Sequence, residues 1–183
     1  MAKNDNAQAI KLYDSIKENI GDAAAGEVAK LFPLTKSADF NRKFKWAENI
    51  CTYLESNFSP EQIAKIRFRC SCTPPEKYLG KVKKIYVEST NLDEFTDKYN
   101  NEYAGKHQVW HNGSDLYFSY PVCYCSSVKR VNKTLPKTWC LCTVGYTKKL
   151  FDYVLDSDTN VELRESIKLG NSRCVIKVTG KFY

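Results

Sequence analysis

The sequence predicts an α+β fold: a mainly antiparallel sheet flanked by helices, with a helical N-terminal region. Three observations predict it. Apolar residues recur at helical spacing through the first sixty-odd positions. From Ile66 onward, short β-branched and aromatic runs alternate with helical stretches. The two kinds of segment interleave without a regular βαβ rhythm, which argues against a doubly wound parallel sheet. Residues 1–65 then form the helical region and residues 66–183 an α+β cysteine-rich domain. At 183 residues the two make one compact unit that can bury a core without disulfides.

Taken in order, Ile10, Tyr13, Ile16 and Ile20 share a helical face and Gly21 offers a stop. A second helix spans about Ala23 to Phe32 and ends before Pro33. A third, from about Asp39 to Ser56, puts Phe40, Phe44, Ala47, Cys51 and Leu54 on one stripe, which makes Cys51 a small core residue. Ser59-Pro60-Glu61 is an N-cap followed by proline at the first helical position. Arg67 to Cys72 alternates like a strand before Pro74-Pro75, and Lys84 to Glu88 reads as another short strand. Asn91 caps a helix running to about Tyr103, with Glu94 at its third position. His107 to Tyr120 reads as a hairpin turning at Asn112-Gly113. Thr143 to Leu155 is helical, and Val161 to Ser166 and Cys174 to Val178 are strands, with Gly170-Asn171 between them.

Composition narrows the function. The formal charge is +7, from 28 Lys and Arg against 21 Asp and Glu, but the basic residues are spread out. No basic arm, zinc-finger spacing or ribonucleoprotein signature occurs, so the reading is a solvated basic surface and no nucleic-acid partner. No stretch approaches the ~20 apolar residues of a membrane span. The polar N-terminus has no signal-length apolar run, and the expected location is cytoplasmic, where thiols stay reduced. Twelve Tyr, nine Phe and three Trp suit an apolar yet hydrogen-bonding pocket for a small-molecule ligand.

The chemistry-bearing pattern is three Cys-x-Cys pairs: Cys70/Cys72, Cys123/Cys125 and Cys140/Cys142. In extended strands both thiols of such a pair face one way, so two facing strand ends can supply the four ligands zinc prefers. Cys125 and Cys140 lie close enough in sequence for a hairpin-like connection to join their pairs. Cys70 and Cys72 arrive from farther away. Zinc is the expected metal, with an iron–sulfur cluster as the lesser option because its usual spacings are absent. Two alternatives stand beside the metal: buried structural thiols, and redox or nucleophilic cysteines. A nucleophilic cysteine needs a base, and the only histidines are His107 and His111, read as strand residues near a turn. No Ser-His-Asp motif, phosphate loop or dinucleotide fingerprint is present.

Tyr120-Pro-Val-Cys-Tyr-Cys, Trp139-Cys-Leu-Cys-Thr-Val-Gly-Tyr and the run from Val161 to Val178 resemble an uncharacterised bacterial cysteine-rich family. That family is distantly similar to the 4-vinyl-reductase-type small-molecule-binding domain and to aminothiazoline-carboxylate hydrolase-like proteins. The resemblance spans about residues 115–178. It implies a sensor-like binding module, a homodimer, and zinc held by three Cys and one Glu near the pocket. Cys140 and Cys174 match two of those cysteines, Ser166 stands where another is expected, and Glu162 or Glu165 approximates the Glu. The resulting metal set is Cys140, Cys174, Cys142, Cys123 and Cys125, with Cys70, Cys72, Glu162, Glu165, His107 and His111 as additional candidates. The alternative function is an enzyme, either a metal- or thiol-dependent hydrolase of a small heterocycle or a Cys-x-Cys redox protein. The sequence leaves open whether the chain is catalytic.

Overall fold

A computed structural model describes residues 4–183. The chain divides into two compact units, one running to Ser71 and resumed at Tyr124–Cys142, the other made of Cys72–Cys123 and Thr143–Tyr183.

The first unit is helical, with α1 (Ala7–Asn19), α2 (Asp22–Leu31), α3 (Phe40–Asn57) and α4 (Pro60–Arg69). The predicted Ser59 cap forms, in a reciprocal capping box with Gln62 ahead of Pro60, and Asp39 Oδ1, unpredicted as a cap, accepts from Arg42 N. Leu12, Ile16, Ile50, Leu54 and Ile66 are fully buried and form much of the core. The α1 stripe is rotated from the expected one, because Ala9, Leu12, Ser15 and Ile16 turn inward while Ile10 is exposed. The expected strand at Arg67–Cys72 is instead the last turn of α4 followed by Cys70 as its C-cap. The alternation there is also a helical one, since Ile63, Ile66, Arg67 and Cys70 all fall on the buried face. The unit closes with Tyr124–Cys142, whose one helical element is the short α7 (Lys137–Cys140).

The second unit is the α+β part: α5 (Glu76–Val87), α6 (Leu92–Glu102), β1 (Gln108–Asn112), β2 (Asp115–Tyr120), α8 (Cys142–Leu155) from its second residue Thr143 onward, β3 (Asn160–Glu165) and β4 (Cys174–Thr179). The strand expected at Lys84–Glu88 is the end of α5. Glu76 in the first turn and buried Val82 on its inner face fit the helix, and tertiary packing overrides the β-branched composition. The sheet is antiparallel throughout, in the order β1-β2-β4-β3. The hairpin forms one residue later than its Asn-Gly pair suggested. Asn112 pairs with Asp115, and Gly113-Ser114 makes the two-residue turn, with Gly113 at a φ of 58°. Asn100 on α6 clamps β1 through both amide atoms, donating to Val109 O and accepting from Val109 N at 2.8 Å each. Phe118 and Phe151, ring centroids 6.0 Å apart, pack α8 onto the sheet.

Candidate functional site

The cysteine pairs do not sit on strands. Cys70 is buried at the end of α4 while Cys72 is exposed, and Cys123 and Cys125 lie in the segment after β2. Cys140 ends α7 and Cys142 begins α8. At the α7–α8 junction a two-residue helical step rotates the side chain by roughly 200°, so the thiols of Cys140 and Cys142 point apart. That removes the shared face on which the facing-strand zinc arrangement depended. Among the described residues, no group of three or more His, Cys, Asp or Glu side chains is placed to hold a metal ion. The thiols present therefore do not fit a zinc site as arranged. Cys174, at the start of β4, places its Sγ 3.8 Å from Ser166 Oγ, so the two positions paired by resemblance are neighbours here. Glu162 is exposed and ion-paired with Arg164 at 3.1 Å, and Glu165 is half-buried on the same strand.

In the first unit, thiols gather around an arginine that sequence reasoning passed over. Arg67 has no exposed surface. Its Nε donates to Thr138 O at 3.2 Å and its Nη2 to Trp139 O at 2.7 Å, and its guanidinium lies 4.5 Å from the Trp139 ring centroid. Cys51, Cys70, Cys125 and Cys142 all lie within its electrostatic reach. Cys142 Sγ donates to the same Trp139 carbonyl at 3.6 Å, and Cys70 Sγ to Lys11 O at 3.9 Å. Burial pushes the Cys51 thiol up to about 12, against the opposing pull of Arg67. It also raises Cys70, which Arg67 and Lys11 only partly offset. Arg67 Nη1 and Trp139 Nε1 are buried without a hydrogen-bond partner.

In the second unit the aromatics converge on His107. Tyr78 and Tyr99 share a 2.7 Å hydroxyl–hydroxyl hydrogen bond, and each oxygen lies 3.5 Å from His107 Nδ1. Tyr103, Phe118 and Tyr120 complete the ring cluster, with centroids 5.4–6.4 Å from the imidazole. The Tyr120 hydroxyl donates to Thr143 Oγ1 at 3.2 Å, whereas the Tyr103 hydroxyl is buried without a partner. Burial raises the pKa values of Tyr78, Tyr99, Tyr103 and Tyr146, and it lowers that of His107, so the imidazole is neutral near pH 7. The other histidine has a different setting. His111 Nε2 bonds Asp93 Oδ1 at 2.9 Å and its Nδ1 faces Gly113 O at 3.2 Å, which together raise its pKa. The helical spacing of Tyr78 on α5 and of Tyr99 and Tyr103 across the end of α6 was the available signal for this cluster. The sequence did not show that α5 exists.

Comparison with known proteins gives a family and little else. The family of unknown function DUF6144 matches residues 1–182, and the chain belongs to it. No curated protein matches the sequence. Among solved structures, an H-NOX protein from S. oneidensis in the Fe(II) ligation state is 10% identical, with a TM-score of 0.44, covering 97% of this chain and 99% of that one. The H-NOX domain from Shewanella oneidensis in the Fe(II)CO state is likewise 10% identical, with a TM-score of 0.43 and 96% and 98% coverage. At these values nothing about this chain's ligand follows from the likeness. The uncharacterised-family part of the resemblance stands, while the relation to 4-vinyl-reductase-type and hydrolase-like proteins finds no support in these matches. Among the described residues, no helix is long and apolar enough to cross a membrane.

Proposed function

For this DUF6144 member we propose a small-molecule-binding, sensor-like module whose ligand sits among the tyrosines around His107. The observation that carries the reading is the Tyr103 hydroxyl, buried amid aromatic rings with nothing to bond. A buried hydroxyl left unpaired costs about 1–3 kcal/mol, so a ligand acceptor placed there regains that loss. The surroundings suit an aromatic or otherwise flat, uncharged ligand. The walls are rings, the imidazole is neutral, and the nearby hydroxyls hold their protons far above neutral pH. Tyr103 would donate to a carbonyl or ether oxygen of the ligand, and His107, Tyr78 and Tyr99 would fix its orientation.

The test is a thermal-shift and titration series with benzaldehyde, benzamide and indole, on wild type and Tyr103→Phe. The reading expects an oxygen-bearing probe to stabilise wild type, with affinity falling about fivefold in Tyr103→Phe for the loss of one hydrogen bond. Indole, which lacks an acceptor oxygen, should bind both alike. Equal affinity of both proteins for the carbonyl probes, or no binding at all, sinks the reading.

A further inference from the structure

The Arg67 centre asks for something the tyrosine site does not. Its guanidinium carries a full charge at complete burial, and among the described residues it pairs with no carboxylate. Two of its hydrogen bonds end on main-chain carbonyls, which orient it without neutralising it, and its side chain also bonds that of Cys70. The four cysteines nearby favour its charged form but supply no carboxylate. Cys70 and Cys142 act as donors, to Lys11 O and Trp139 O, and burial keeps Cys51 and Cys70 protonated. A fully buried charge without a carboxylate partner costs several kcal/mol, which an anionic acceptor placed against it would regain.

Two orphaned donor groups show what is missing. Nη1 of Arg67 offers two N–H bonds and Nε1 of Trp139 offers one, on side chains stacked 4.5 Å apart. All three are donors, so the missing group is an acceptor. A water molecule would satisfy N–H bonds and leave the charge. A carboxylate supplies two acceptor oxygens and one negative charge, matching both the donors and the single positive charge. A phosphate dianion would replace a buried positive charge with a buried negative one. Cys125 and Cys142 are half-buried, whereas Cys51 and Cys70 are buried.

We propose that Arg67 and Trp139, with the buried donor groups Nη1 and Nε1 left unpartnered, form a buried binding site for a small monocarboxylate. The site lies wholly within the first unit, and it stands or falls independently of the tyrosine site in the second. Acetate is the probe, titrated into reduced full-length protein against sodium chloride and sodium sulfate at matched ionic strength. Acetate should raise the melting temperature in a saturable way, and Arg67→Met should abolish the response while keeping the native circular dichroism. Should Arg67→Met fail to fold, Trp139→Phe keeps the guanidinium, removes one N–H, and should weaken acetate about fivefold. A flat acetate response in wild type overturns the proposal, as does an undiminished one in either folded variant. An equal saturable response to chloride or sulfate overturns the carboxylate assignment.

Discussion

Arg67 and Tyr99 are each fully buried, yet their polar atoms meet different fates. The Tyr99 hydroxyl finds the Tyr78 hydroxyl at 2.7 Å and the His107 ring beyond it, so its partners come from its own unit and are neutral. Arg67 spends two nitrogens on carbonyls, keeps the third unpaired, and carries a charge that four neighbouring cysteines favour but that no carboxylate among the described residues meets. Both units thus bury polarity in aromatic surroundings, but the second buries hydroxyls and the first a cation. The difference teaches what each could recognise: a neutral acceptor in one, an anion in the other.

The largest contrast should appear in thiol chemistry. Cys51 is fully buried with its thiol pushed up to about 12, and Cys70 is buried and raised, whereas Cys72 is exposed. Iodoacetamide near pH 8 should modify Cys72 on the order of 100-fold faster than Cys51 or Cys70 in native protein, read by peptide mass spectrometry. Comparable rates would mean the first unit opens readily, and the buried-charge picture would fail with it. Next in size is Arg67→Ala, which strands two carbonyls and leaves a cavity against Trp139 and should destabilise by about 3–5 kcal/mol in urea unfolding. Arg67→Met, which refills the volume without the charge, should lose clearly less. Equal losses would show that the charge itself contributes stability, contrary to its lack of a carboxylate partner.

Two tyrosines sharpen the same comparison with smaller effects of opposite sign. Tyr99→Phe breaks the hydroxyl pair and should cost about 1 kcal/mol. Tyr103→Phe removes a hydroxyl that has nothing to bond, so without ligand it should be neutral or stabilise by up to about 1 kcal/mol. If Tyr103→Phe destabilises as much as Tyr99→Phe, the Tyr103 hydroxyl has a partner in the resting protein and the ligand reading loses its support.

Much of the architecture was legible because local chemistry decides it. Asn91 and Ser59 carry their cap hydrogen bonds, the Gly113 turn forms its hairpin, and Cys174 to Thr179 is a strand. The misreadings cluster where a short alternating run fits two periods. Ile66 to Cys70 and Lys84 to Val87 satisfy both a strand and a helix over a few residues, and only packing beyond the run selects the helix. The site followed that error. Cys-x-Cys on strands would have gathered thiols pairwise, whereas Cys70/Cys72 and Cys140/Cys142 sit at helix ends, where a two-residue step does not keep a shared face. No local pattern marks Arg67, since a charged residue in a helix reads as surface unless its burial is known.

The smallest predicted effects come from the two histidines, and their signs oppose. Burial lowers the pKa of His107, so around pH 6 the unfolded chain holds more protons than the folded one. The stability His107 contributes is fully present above an unfolded pKa of about 6.5 and is lost as pH falls toward the folded value. His111 is raised by its hydrogen bond to Asp93, so its contribution is fully present below about 6.5 and is lost as pH rises through the folded value. Melting temperatures between pH 5 and 8 should therefore flatten on the acid side in His107→Phe and on the alkaline side in His111→Asn. Because Asp93 is 85% exposed, the His111 effect should also shrink with added salt, while the His107 effect, which comes from burial, should not. An acid limb unchanged in His107→Phe would mean that His107 titrates as though in water. The aromatic cluster would then be open where the tyrosine site requires it to be dry.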